Sequence, residues 1–93
     1  MIKGPAQLEM EMRLAAAFPG AVIALTNDSA KHHGHSGDDG SGESHFSLHI
    51  VWDGFEGQSR VVRQRAVNKA LGDMPGERVH ALAIKAQTPV EAL

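Results

Sequence analysis

The stretch "HFSLHIVWDGFEGQSRVVRQRAVNKALG", His45 to Gly72, carries the reading of the fold. Its first eight residues alternate: Phe46, Leu48, Ile50 and Trp52 share one face, and His45, Ser47 and His49 the other. That period of two marks a half-buried strand. "DGFEG" then turns the chain, and residues 58–72 read as helix. Val61/Val62 and Val67/Ala70/Leu71 do not form one clean stripe, so the segment reads as one helix or two short ones, ended by Gly72 and Pro75.

Working outward, "AVIALT" at 21–26 is rich in aliphatic and β-branched residues between turn signals and predicts a buried strand. Before it, Pro5 suits a first helical position, and Met10, Leu14, Ala17 and Phe18 recur at helical spacing until Pro19-Gly20 stops them. On the other side, "RVHALAIKA" at 78–86 predicts a third strand with His80 in the phase of Leu82 and Ile84, and "TPVEAL" a terminal helical turn. The order α-β-β-α-α-β predicts an α+β domain over residues 1–93, with helices on one face of a small three-stranded mixed sheet. A crossover through helices favours a parallel last pair.

Composition narrows the chemistry. Ninety-three residues bury roughly 60 to 65% of their unfolded surface, which leaves a thin core and little room for a large enzyme cleft. The apolar runs are too short to span a membrane, and the N-terminus has neither the apolar core of a secretory signal nor the character of a transit peptide, so the expectation is cytoplasmic with no membrane association. There is no cysteine, which excludes disulfides and any thiolate metal site built by this chain alone. The net charge is −2, yet Arg60, Arg63, Arg65 and Lys69 fall in a stretch, 57–72, without an acidic residue; the other five basic and all eleven acidic residues lie elsewhere. Overall charge argues against a dedicated nucleic-acid binder, while the local cluster keeps phosphate or partner docking open.

Histidines are the other chemical resource. "KHHGHSGDDGSGESHF", 31–46, places His32, His33 and His35 with Asp38 and Asp39 in a glycine- and serine-rich segment. Composition alone reads it as a solvated connector, and His80 alone as a hydrogen-bonded core residue. His45 and His49 are about 13 Å apart along one strand face, too far to share a metal, and read as structural or exposed.

The blocks "TNDSAKH", "GESHF", "WDGFEGQSRVVRQR" and "VHALAIKAQTP" occur in the order and spacing of the BolA family, which the chain resembles over roughly residues 6 to 89. The resemblance implies a fold like a type II KH domain. It also implies pairing with a monothiol glutaredoxin and a [2Fe-2S] cluster shared across the interface, for cluster assembly, transfer or iron sensing. In the family one ligand is a histidine at the start of the last strand, matched here by His80. The other lies in the loop between the first two strands, best matched by His32, with His33 and His35 as alternates. Arg63-Gln64-Arg65 stands where the family usually has Arg-His-Arg.

An imidazole-only chain suits half of a shared site, because two imidazoles can replace two thiolates on one iron while the partner's cysteine and glutathione supply sulfur. Alone, the chain is expected to hold no cofactor and to be a monomer or weak homodimer. The rival reading is a small DNA-binding transcriptional regulator, with phosphates met weakly by a helix-turn-helix-like basic segment at 60–69. A third is a loop-histidine metal binder acting alone. No nucleophile motif or paired carboxylates point to an enzyme.

Overall fold

A computed structural model describes residues 3–29 and 42–93. Helix α1 spans Pro5–Ala17, strand β1 Val22–Asn27, strand β2 His45–Val51, helix α2 Arg60–Leu71, the short turn α3 Met74–Glu77 and strand β3 Ala81–Gln87. The sheet order is β1-β2-β3, antiparallel between β1 and β2 and parallel between β2 and β3, as the crossover argument requires.

The period of two puts Phe46, Leu48 and Ile50 of β2, Leu25 of β1 and the half-buried Leu82 and Ile84 of β3 toward the helices. Met10 and Leu14 of α1, Val67 and Leu71 of α2, and Phe18, Phe55, Met74 and Val79 complete that core. Along β1 and β3 the alternate residues, Val22, Ala24, Thr26, Ala81, Ala83 and Lys85, are exposed. The helices therefore cover one face only.

Pro5 occupies the first turn of α1, and the Glu43 carboxylate accepts from the backbone N–H groups of Ala6 at 3.2 Å and Gln7 at 2.9 Å. It thus satisfies two of the helix's orphan donors from across the fold. A Cβ at Gly4 would meet that carboxyl group at 2.3 Å, so a larger residue there would require Glu43 to shift from the helix terminus. Ala17, expected on the apolar stripe, is exposed. The helix ends there, and Phe18, already off the helical path, makes the burial instead.

Residues 60–71 form one helix, capped by the Ser59 hydroxyl on the Val62 N–H at 3.2 Å and closed by Gly72 at φ 63. Its stripe looked broken in sequence because Arg63 holds the i, i+4, i+8 line with Val67 and Leu71, while Val61 and Val62 face solvent. The third strand begins at Ala81 rather than at residue 78. The terminal "TPVEAL" closes a single turn through the Ala92 N–H on Thr88 O at 3.1 Å.

At the far end of β2, Phe18, Trp52 and Phe55 form an edge-packed aromatic cluster with centroids 5.0 to 5.5 Å apart. Phe55→Ala should cost about 3–5 kcal/mol of unfolding free energy. The exposed Val61→Ala should stay within about 0.5 kcal/mol. Urea titrations followed by Trp52 fluorescence would check both.

Candidate functional site

The histidine end of the sheet lies opposite the aromatic cluster, where β2 begins. Ser29 ties it together: its hydroxyl accepts from the N–H groups of Ser44 at 2.9 Å and His45 at 3.2 Å. The Asp28 N–H donates to His45 O at 2.8 Å, and Asn27 Nδ2 to Gly42 O at 2.7 Å. The two stems of the 30–41 segment are therefore clamped side by side. The Ala81 N–H donates to Ser44 O at 3.0 Å, which sets the start of β3 against the same point.

His80 immediately precedes that first ladder bond. It is exposed, not a core residue in phase with Leu82 and Ile84, because the sheet ladder starts one residue later. Its backbone is nonetheless held from both sides. Val79 is fully buried, with its N–H on Met74 O at 3.0 Å and its carbonyl taking the Gly76 N–H at 2.7 Å, and Ala81 is in the ladder. An exposed imidazole on fixed backbone can meet a ligand with little backbone ordering.

Sequence reasoning set His45 aside, yet its ring packs on His80 with centroids 5.3 Å apart and planes tilted by 52°. Only the parallel register, which puts His45 opposite Ala81, brings the two together. His45 is 9% exposed, and its Nδ1 lies 2.9 Å from Ser44 Oγ. His49 is half-buried on the same strand face, with Nε2 2.8 Å from Gln87 Oε1, and has a structural role. The loop residues His32, His33, His35, Asp38 and Asp39 lie outside the described residues. Among the described residues no three histidine or carboxylate side chains converge as a metal site.

The basic cluster divides. Arg63 is 8% exposed, and its guanidinium donates to Gln58 O, Ala86 O and both Glu91 oxygens, with the closest contact 2.5 Å, while lying 5.8 Å from the Phe55 ring centroid. These contacts tie the start of α2 to the end of β3 and the C-terminal turn, and the Arg63–Glu91 pair also lines the cleft between α2 and β3. Arg60 lines a cleft of about 370 Å³ between α2 and β3, with Gln64, Lys85 and Gln87. Arg65 and Lys69 are exposed four residues apart, roughly 140–180° around the helix from Arg60. A helix-turn-helix does not form: α3 has four residues, with Pro75 and Gly76 outside helical angles.

This is a one-sided α+β sheet with an exposed imidazole at the lead-in to β3, beside the clamped stems of the 30–41 segment. Residues 14–91 match the model of the BolA-like protein family, and the chain belongs to that family. It is 40% identical over 88 residues to human BolA-like protein 1, covering 95% of this chain but 61% of that protein. It is 34% identical over 82 residues to a Vibrio cholerae protein named DNA-binding transcriptional regulator BolA, covering 88% of this chain and 74% of that one. Among solved structures, the BolA domain of SufE1 from Arabidopsis thaliana superimposes with a TM-score of 0.82 at 32% identity, covering 97% of this chain and 99% of that domain. No helix among the described residues is long and apolar enough to cross a membrane.

The Arg63 clasp has a measurable signature. Its hydrogen bond to Glu91, with a second from the Thr88 N–H, lowers the Glu91 carboxyl from 4.5 to about 2. A carboxyl depressed in the folded state contributes stability above its unfolded pKa and loses it as pH falls through the folded value. The gap in melting temperature between the parent chain and Glu91→Gln should be full at neutral pH, shrink below about pH 4.5 and close near pH 2.

Proposed function

We propose that this protein is a non-enzymatic adaptor that pairs with a monothiol glutaredoxin and contributes His80 and a histidine of the 30–41 segment to a shared [2Fe-2S] cluster. The observation that carries this reading is the placement of His80, an exposed imidazole on fixed backbone beside the clamped stems of the histidine-bearing segment. His32 is three residues from Ser29, so its Cα is at most about 11 Å from that of Ser29.

The donor set fits half of such a site. The chain offers imidazoles and no thiolate, so it complements a partner that supplies sulfur ligands and does not duplicate them. When bound, the cluster is cargo or an iron-responsive signal; this chain's residues hold it, orient it and set which partner can share it. Arg60 and Lys85, exposed cations lining the α2/β3 cleft, suit docking of an acidic surface.

A second reading, weak DNA binding, is favoured by the name of the Vibrio cholerae relative and by the exposed pair Arg65 and Lys69. With Arg63 committed to Glu91, only two or three phosphates can be neutralised from α2. Duplex affinity should therefore be weak and fall with log salt at a slope of about −2 to −3. Nanomolar, sequence-selective binding at physiological salt would promote this reading over the first.

Co-purification with a monothiol glutaredoxin and glutathione, followed by visible absorption, tests the adaptor reading. The mixture should show the cluster bands and the isolated chain none. His80→Ala should remove most of the partner-dependent spectrum, as should replacing His32, His33 and His35 together by Ala, while His32→Ala alone should weaken it partly and His49→Ala should leave it unchanged. Wild-type bands with His80→Ala, or a stable cluster on the isolated chain, would defeat it.

A further inference from the structure

We infer that His45 is a positioning residue that sets the side-chain conformation of His80; the inference rests on the reading of His80 as a cluster ligand. His80 is exposed at the strand's lead-in, and an exposed imidazole ordinarily samples several rotamers, so using it as a ligand requires ordering it. The His45 ring stands against it at 5.3 Å between centroids and closes off the space on that side.

His45 itself has little freedom. It is 9% exposed, and its backbone N–H and carbonyl are both engaged, by the Ser29 hydroxyl and the Asp28 N–H. The Ser44 hydroxyl at Nδ1 fixes the rotation of its ring. Ser29 and Ser44 are also the clamp on the stems of the 30–41 segment, so the residues that order that segment's stems and those that orient His80 are one hydrogen-bonded unit. Residues behind a metal-binding histidine act in this way, holding the ring in the orientation that the metal needs.

The test has a partner-free arm and a cluster arm. In the isolated protein, three-bond couplings about χ1 of His80, measured by NMR, should report one dominant rotamer in the parent chain and averaged rotamers in His45→Ala, while His45→Phe, which keeps a ring in place, should lie nearer the parent. In the glutaredoxin complex, His45→Ala should lose its cluster to a chelator about tenfold faster than the parent and shift the visible circular dichroism bands. Parent-like couplings and loss rate in His45→Ala, with His80→Ala still abolishing the spectrum, would overturn the inference alone. An unchanged spectrum in His80→Ala would overturn the adaptor reading and, with it, any role for His45 toward the cluster. Should His45→Ala not fold, Ser44→Ala, which releases the ring but leaves it in place, carries the test: averaged His80 couplings support the inference and parent-like couplings overturn it.

Discussion

The parallel pairing of β2 with β3 is the constraint from which the rest of the molecule follows. Among the described residues, β2 is the strand with neighbours on both sides, so its outward-facing side chains are the ones that become buried or half-buried on that face of the sheet. A parallel neighbour cannot be reached by a tight turn, and the chain must cross over through α2 and α3, which supplies the helical layer. The same pairing puts Ala81 against Ser44, and with it His80 beside His45 and the stems of the histidine-bearing segment. Three stretches distant in sequence meet there because one ladder begins there.

Arg63 shows how a charged residue can serve a core. A guanidinium out of water is costly unless its donors are met, and here they are met by Gln58 O, Ala86 O and Glu91, with the Phe55 ring beneath. Glu91 in turn closes the last turn of the chain, accepting the Thr88 N–H at 2.8 Å while its own N–H reaches the Thr88 hydroxyl at 3.3 Å, a reciprocal capping arrangement. One buried cation thus joins the start of α2, the end of β3 and the C-terminal turn. This clasp lies toward the opposite end of β3 from His80.

The two ends of the sheet therefore do different work. The aromatic and Arg63 end supplies apolar burial and interlocking hydrogen bonds, and it anchors the helices. At the other end, small polar residues, Ser29, Ser44 and Asn27, tie backbone to backbone and hold imidazoles near the surface. A chain with imidazoles and no thiolate, one imidazole exposed on fixed backbone, suits the proposed shared site.

Much of this was legible from residues 45–72 and their flanks. The period of two in β2, the proline and glycine stops around α1 and the crossover before β3 determine element order, sheet direction and one-sided packing, because these follow from local geometry and backbone hydrogen bonding. The matched blocks likewise pointed to the family. Position in space, however, was decided by the tertiary structure. A side chain's partners across the fold leave no trace in its local pattern, so the pairing of Arg63 with Glu91, twenty-eight residues on, could not be read from the basic cluster. His80 passed for a core residue because strand phase does not say where the ladder starts. His45 was set aside because its distance along the strand was measured only to His49, whereas its neighbour comes from the other side of a parallel register that no spacing in the sequence records.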